Sequence, residues 1–179
     1  MAGGPRRLET GARTYLRSPT ARDEREFLRL ARASKTLHKG MVLAPSTPAA
    51  FRDYLGRMRR PDARAFLVCR RDDDAITGAI NMSQIFMGPF RSAYLGYYAF
   101  APHAGSGYMT EGMKLALQHA FGAMGLHRLE ANVQPGNERS IALVKRCGFR
   151  LEGYSPRYLK VGGRWRDHER WAILAEETR

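Results

Sequence analysis

The segment Ala104-Gly105-Ser106-Gly107-Tyr108-Met109-Thr110-Glu111 lies between a run of apolar residues and the most regular amphipathic pattern in the chain. Its two glycines allow the backbone to approach a ligand closely. The residues after Gly107 begin a helix, whose first N–H groups are unpaired and lie at the positive end of the helix dipole. This arrangement favours a bound phosphate or pyrophosphate, although an ordinary strand-to-helix turn can have the same residues.

The residues on both sides of this loop predict a strand before it and a helix after it. Residues 93–100 are almost all apolar, as in a strand that is covered on both faces. After the loop, apolar residues recur with a period of about 3.6 residues, and Gly125 follows where the helix is expected to stop. These apolar residues are Met113, Ala116, Leu117, Ala120, Phe121 and Met124.

The rest of the chain alternates strands and helices in the manner of a mixed α+β domain. Further strands are predicted at 13–17, 64–70, 75–83, 128–133, 149–161 and 164–174. Further helices are predicted from Thr20 onward, at 48–59 and at 138–146. Residues 1–12 are rich in Gly, Pro and Arg, which predicts a flexible N-terminal arm before a single domain at 13–175.

The charge of the chain points to anionic partners without identifying one. Its 179 residues include 30 Lys and Arg against 17 Asp and Glu, a formal net charge of +13 at pH 7. Such a field attracts nucleic acid, phosphorylated cofactors or anionic lipid. The basic residues are scattered rather than collected in one tract. The net charge is therefore equally compatible with a general excess of basic surface residues that serves no particular partner.

Composition also indicates the compartment. No apolar run approaches the roughly 18 residues that a transmembrane helix needs, and no apolar stretch follows the N-terminal arginines as in a secretory signal. Cys69 and Cys147 are far apart and cannot form a disulfide framework. A reduced, cytoplasmic location without a membrane partner is therefore predicted.

A second motif, Asn137 to Phe149, has the pattern of a short capped helix with a glycine after its end. By its chemistry alone it is an ordinary helix. The first loop departs from two better-known phosphate motifs. Tyr108 stands where a P-loop requires lysine, and Thr110 stands in place of the third glycine of a dinucleotide fingerprint.

Together, the two motifs resemble the GNAT superfamily of N-acetyltransferases. The segment Gly105–Glu111 is similar to its loop for the coenzyme A pyrophosphate, and Asn137–Phe149 is similar to its last conserved block. Two positions depart from the pattern. Pro102 stands where the loop often begins with Gln or Arg, and Val144 stands where some relatives carry a tyrosine proposed as general acid.

The C-terminal part of the chain resembles one branch of that superfamily, the ribosomal-protein-alanine N-acetyltransferases. The similarity lies in Glu152-Gly153-Tyr154, Tyr158 and Gly163-x-Trp165-Arg166-Asp167-His168. The resemblance as a whole implies a GNAT fold: a central, mostly antiparallel, twisted sheet with one splayed pair of parallel strands, flanked by helices. Acetyl-CoA would enter between those two strands, at 94–100 and 128–133, and no metal is implied. The implied cofactor-binding residues are Tyr98, Ala99, Phe100, Gly105, Ser106, Gly107, Tyr108, Met109, Thr110, Asn137, Ser140 and Lys145.

Acetyl transfer requires a neutral amine and a proton for the departing thiolate. An α-amine, with a pKa of about 7.7–8.0, is partly neutral at pH 7, whereas a lysine amine costs about 3.4 kcal/mol more to deprotonate. Glu130 is predicted as the general base and Ser140 as the residue that hydrogen-bonds or protonates the thiolate. Tyr154 and Tyr158 are alternatives for the acid. Cys147 has no adjacent base, so direct transfer is predicted rather than an acetyl-enzyme.

The predicted function is acetyl-CoA-dependent acetylation of the α-amine of a protein N-terminus, with a ribosomal protein as the predicted acceptor. One alternative is an acetyltransferase for a small amine, such as an aminoglycoside, polyamine or amino acid. Another is a non-catalytic module of this fold that binds ribosomal RNA. The positive charge leaves ribosome or RNA association open, and a monomer or homodimer is expected.

Overall fold

The computed structural model describes residues 6–178 and is built on one sheet. Its strands are β1 (Arg7–Thr10), β2 (Thr14–Arg17), β3 (Arg64–Arg70), β4 (Ile76–Phe86), β5 (Ser92–Ala99), β6 (Arg128–Val133), β7 (Arg150–Val161) and β8 (Arg164–Leu174). Its helices are α1 (Glu24–Ala33), α2 (Lys35–His38), α3 (Pro48–Met58), α4 (Tyr108–Phe121) and α5 (Glu138–Arg146). The strands follow the order β1-β2-β3-β4-β5-β6-β8-β7 across the sheet.

Every neighbouring pair in this sheet is antiparallel except β5 and β6. Those two are parallel because α4 carries the chain back across the sheet between them. Their register runs from Ser92 beside Arg128 to Leu95 beside Ala131. This arrangement confirms the predicted fold class, an antiparallel sheet with one parallel pair and flanking helices.

Apolar residues on the two faces of the sheet form separate cores. One core joins the sheet to α4 and α5, and the other joins it to α1 and α3. Helix α4 lies especially close to β3 at Gly112, where an added Cβ would come within 2.6 Å of the Val68 side chain. The glycine therefore fixes the depth of α4, and with it the loop that begins the helix.

The predicted N-terminal arm is wrong for residues 7–10. They form β1, an edge strand paired with β2. Glu9 fixes the strand to α4, because its carboxylate accepts hydrogen bonds from Gln118 Nε2 and His119 Nδ1, each at 3.0 Å. These contacts join residues more than 100 positions apart, so the local composition gives no signal for them. Residues 1–5 of the predicted arm lie outside the described residues.

Helix α2 has no counterpart in the predicted elements, because four residues are too few to display a helical period. No helix within residues 6–178 combines the length and apolar character that crossing a bilayer requires.

Candidate active site

A cleft opens where β5 and β6 separate. Their pairing ends at Leu95 and Ala131, whereas β5 stays paired with β4 as far as Ala99 and β6 stays paired with β8 as far as Val133. Residues 96–99 thus have a backbone edge that faces a gap rather than a strand. The cleft has a volume of about 780 Å³ and extends from this gap to α2, α4 and α5. Such a volume accommodates a cofactor-sized ligand.

The glycine loop lies at one end of the cleft. Gly105 and Gly107 have φ values of 80° and 82°, a left-handed conformation in which a side chain would be strained. Gly107 is the N-cap of α4, so the unpaired amides of the first turn point towards the loop. Both glycines line the cleft together with Met109 and Thr110. The backbone therefore presents hydrogen-bond donors and a positive dipole end to an anion.

Arg13 adds a positive charge to this loop. Its Nη2 donates to the Ser106 carbonyl at 2.8 Å, and its guanidinium lies over the Tyr108 ring at 4.3 Å. Glu111 holds Arg13 and the following residue in place by accepting from the Arg13 and Thr14 amides at 2.8 and 3.1 Å. Arg13 was not identified from the sequence, because none of its neighbours in sequence connects it to the loop.

Helix α5 forms the wall opposite β5. The Asn137 side chain caps the helix by accepting from the Ser140 amide at 3.2 Å. Arg139 and Arg146 are two turns apart, share one helix face, and both line the cleft. Lys145 lies on another face, exposed, with its ammonium 5.6 Å from the Trp171 ring centre. The two arginines were not identified from the sequence.

The predicted cofactor residues separate into two groups. Those that line the cleft are Tyr98, Ala99, Gly105, Gly107, Met109, Thr110, Asn137 and Ser140. Those that do not are Phe100, Ser106, Tyr108 and Lys145. Phe100 is fully buried in the core beside α1 and α3, and its amide donates to the Thr77 carbonyl at 2.8 Å. The free edge of β5 consequently ends one residue before Phe100.

Ser140 meets a phenol inside the cleft. Its Oγ lies 2.6 Å from the hydroxyl of Tyr97, and either oxygen can be the donor. Burial raises the pKa of Tyr97 well above its ordinary value, although the hydrogen bond with Ser140 opposes the shift. The phenol thus keeps its proton at neutral pH and can donate a hydrogen bond to Ser140. Sequence spacing gave no reason to pair these two residues.

Glu130 lies on the face of β6 that points away from the α4–α5 core, and its carboxylate accepts from Arg128 Nε at 2.9 Å. It does not line the cleft. Arg128 also forms an ion pair with Glu152, so the guanidinium lies between two carboxylates. The assignment of Glu130 as general base stays a prediction.

The two tyrosines predicted as alternative acids are committed to other groups. The Tyr154 hydroxyl donates to Asp167, and this hydrogen bond raises the pKa of Tyr154. A hydrogen bond between Tyr158 and Tyr94 raises the pKa of Tyr94 to about 12. Neither Tyr154 nor Tyr158 lines the cleft, whereas Tyr97 lines it and lies within hydrogen-bond distance of Ser140.

Cys147 lies beneath the loop, with its Sγ 3.8 Å from the Thr110 carbonyl. Burial raises the pKa of this thiol to about 11. At neutral pH it is therefore protonated and a poor nucleophile, as expected for direct transfer. Within residues 6–178, no three His, Cys, Asp or Glu side chains come together as metal ligands would.

Several further polar residues line the cleft and were not assigned from the sequence, among them His38, Asn132 and His168. His38 Nε2 lies 2.7 Å from the Ala99 carbonyl, at the end of the free edge of β5. Asn132 on β6 has a buried Oδ1 without a hydrogen-bond partner. His168 on β8 is 3% exposed. Each comes from an element remote in sequence from the glycine loop, so only the topology of the sheet brings them to it.

Comparison with known proteins identifies the domain. The family described as the acetyltransferase (GNAT) domain matches residues 13–150. A curated relative, the probable N-acetyltransferase YjcK of Bacillus subtilis, is 34% identical over 122 residues, which is 68% of this chain and 67% of the relative. The [ribosomal protein uS5]-alanine N-acetyltransferase of Escherichia coli is 39% identical over 106 residues, or 59% of this chain and 55% of that protein.

Among solved structures, Mycobacterium smegmatis RimJ in complex with CoA-disulfide superimposes with a TM-score of 0.85 at 30% sequence identity, covering 97% of this chain and 87% of that one. The match to the Escherichia coli relative spans little more than half of that relative's length. The architecture is thus that of the GNAT fold, which in the RimJ structure is in complex with CoA-disulfide.

Proposed function

Because the chain belongs to the GNAT acetyltransferase family, we propose that it transfers the acetyl group of acetyl-CoA to the α-amine of a protein N-terminus. The divergence of β5 and β6 beside the glycine loop is the observation that carries the proposal. It places a free strand edge and an anion site at one cleft. The relatives named as N-acetyltransferases support the reaction class, and those named for ribosomal proteins support a ribosomal protein as acceptor.

The residues of the cleft fit acetyl-CoA in three places. The amides after Gly105 and Gly107, next to Arg13, suit the pyrophosphate. Residues 96–99 offer backbone groups to the amides of the extended pantetheine arm. Arg139 and Arg146 add positive charge along the wall opposite β5. When bound, the cofactor supplies an activated acetyl thioester.

The chain's own residues then have distinct tasks. Backbone N–H groups at the free end of β5 stabilise the oxyanion that forms on the acetyl carbonyl. Ser140 and Tyr97 hold a proton at the end of the cleft where the thiolate departs. The acceptor amine must enter from the other side, lose one proton and attack. Glu130 is our sequence-based candidate for the residue that accepts that proton.

Incubation with acetyl-CoA and peptide libraries tests the proposal. We expect a mass gain located by fragmentation at the N-terminal α-amine, with lysine side chains unmodified because their deprotonation is more costly. Acetylation of small amines alone would instead establish the small-molecule alternative. Acetylation of neither, together with tight RNA binding, would establish the non-catalytic alternative.

We further propose that the enzyme meets its acceptor on RNA. Ribosomal proteins are typically basic, as is this chain, so their charges disfavour direct association. One surface groove is lined by four exposed arginines, one just before α1 and three along it, together with Glu26, and none of the four forms an ion pair with a described carboxylate. These arginines are Arg22, Arg25, Arg29 and Arg32. Their spacing along one helix face suits a phosphodiester backbone.

The salt dependence of RNA binding tests this surface. Each phosphate contact contributes about 0.9 to the slope of log affinity against log salt for a duplex, so Arg25→Gln with Arg29→Gln should lower the slope by about 1.8. Arg6→Gln with Arg164→Gln removes the same charge elsewhere and should change it little. Equal slopes for both double variants would contradict the proposal.

A further inference from the structure

His168 is a buried imidazole with one committed nitrogen and one free nitrogen. Its Nδ1 lies 3.0 Å from the Arg166 carbonyl oxygen. A carbonyl can only accept, so Nδ1 carries the hydrogen and Nε2 keeps a lone pair. No described residue forms a hydrogen bond with Nε2, and the side chain lines the cleft. The ring is therefore fixed in the tautomer that can receive a proton from a ligand.

A second unsatisfied acceptor lies beside it. Asn132 on β6 pairs in register with Arg170 on β8, and His168 is the next residue of β8 on the same face. The Asn132 and His168 side chains are thus diagonal neighbours on adjacent strands. The Asn132 Oδ1 is buried without a partner and lines the same cleft. Two adjacent acceptors without donors are suited to an ammonium group, which carries only donors.

Two other candidate bases, Glu130 and His38, are engaged by other groups. The Glu130 carboxylate is paired with Arg128 and does not line the cleft. His38 has its Nε2 bound to the Ala99 carbonyl, and its ring packs against Tyr98 with centres 5.5 Å apart. The ionisable groups around His168 include Arg166, Asp167, Glu169 and Arg170 on its own strand, Tyr158 on β7, Glu130 on β6 and Tyr94 on β5. The lining of the cleft adds His38, His103, Glu138, Arg139 and Arg146.

We propose that His168 Nε2 accepts the proton that the acceptor ammonium loses before attack, while Asn132 Oδ1 holds a second N–H of the same group. The N–H bond breaks, its electron pair stays on nitrogen, and the proton is held at Nε2 until water removes it. This inference rests on the proposed transfer to an amine. It assigns the acceptor side of the reaction to two residues that lie outside the glycine loop and the segment Asn137–Phe149.

The pH dependence of kcat/KM tests this role. With His168 in place, the reacting pair is a neutral imidazole and an ammonium. The acidic limb of the profile, in which kcat/KM falls as pH is lowered, should therefore have the same midpoint for acceptors of different basicity. In His168→Asn, whose amide nitrogen can replace Nδ1 as donor to Arg166, only the neutral amine can react. Its acidic limb should then follow the amine pKa when an N-terminal alanine peptide is compared with its fluorinated alanine analogue. We expect a loss of roughly 100-fold at neutral pH.

His127→Asn is the matched control, because it removes an exposed imidazole that pairs with Glu176 outside the cleft. This variant should have the same pH dependence of kcat/KM as the wild type. If the acidic limb of His168→Asn has the same midpoint for both peptides, despite the different pKa values of their amines, the proposal is overturned. Long-range proton–nitrogen NMR of the wild-type protein supplies a readout without turnover: a hydrogen on Nδ1 and a bare Nε2 are expected, and the opposite tautomer would also overturn it.

The proposal of a peptide acceptor and the proposal for His168 can be tested separately. If only a small amine is acetylated, the peptide proposal is wrong, and the same comparison of two small amines of different basicity decides the role of His168. If no amine is acetylated, both proposals are wrong.

Discussion

The two walls of the cleft are built in different ways. The cofactor wall, consisting of residues 104–111, α4 and α5, is formed by two continuous segments whose backbone supplies most of the binding groups. The acceptor wall, consisting of Asn132, His168 and His38, takes single side chains from β6, β8 and α2. A binding site that depends on backbone conformation leaves a local pattern of glycines and caps, whereas one assembled from distant strands leaves none.

The first prediction concerns the buried ion pair between Arg17 and Asp23. Arg17 and Asp23 form two hydrogen bonds of 2.7 and 2.9 Å that join β2 to the start of α1. Asp23→Asn leaves the Arg17 charge buried without a partner and should lower the free energy of unfolding by about 3–5 kcal/mol. Denaturant unfolding measures this. Asp62→Asn, in the exposed pair with Arg60, should cost well under about 1 kcal/mol.

The same pair has a pH signature. Burial alone would raise the pKa of Asp23, but hydrogen bonds from Arg17 and Thr20 hold it below its ordinary value. The stabilisation is therefore complete above the ordinary pKa of about 3.9 and is lost as pH falls through the folded-state value. The stability difference between wild type and Asp23→Asn should shrink in that acidic range. A difference that is constant with pH would contradict the assigned cause.

The second prediction tests whether the cofactor wall depends on backbone conformation. Gly105 and Gly88 have positive φ values of 80° and 68°, and an added Cβ would meet no atom within 4 Å at either. Valine at either position should cost about 1–2 kcal/mol of stability through strain. Only Gly105→Val should also weaken acetyl-CoA binding, by roughly 100-fold, because it distorts the anion-binding amides. Titration calorimetry measures the acetyl-CoA affinity of each variant. Equal affinities for Gly105→Val and Gly88→Val would contradict a cofactor wall that depends on backbone conformation.

The third prediction concerns the proton source. Ser140→Ala and Tyr97→Phe each break the 2.6 Å contact and should lower kcat by roughly 10- to 100-fold with little change in acetyl-CoA affinity. The double variant should be no worse than about the more severe single variant, because both residues act on one proton. Multiplied losses would show that the two residues act independently.

The smallest effect concerns α5. Arg146 lines the cleft and Lys145 does not. Arg146→Gln should therefore weaken acetyl-CoA binding by roughly 3- to 10-fold, as expected for one partly exposed charge–phosphate contact of about 1 kcal/mol. Lys145→Gln, with the same change in net charge, should have a smaller effect. The reverse order would restore Lys145 as the cofactor residue of this helix.

The sequence predicted those features that depend on local order. The periodicity of residues 113–124 and the capping at Asn137 predicted α4 and α5, and the glycines at 105 and 107 located the loop. It did not predict β1, whose contacts with α4 span more than 100 residues. Lys145 and Arg146 are adjacent in sequence. Which of them faces the cleft depends on how α5 is rotated about its axis when it packs on the sheet, and the sequence does not show this.

Hydrogen exchange of backbone amides, with and without acetyl-CoA, tests the central claim most directly. If the cofactor lies in the gap between β5 and β6 with its pyrophosphate at the glycine loop, its addition should slow exchange at residues 96–99 and 105–110 together. Amides in β3, which lies outside the cleft, should be unchanged. Protection at the loop alone, or at neither segment, would contradict a cofactor that spans the two.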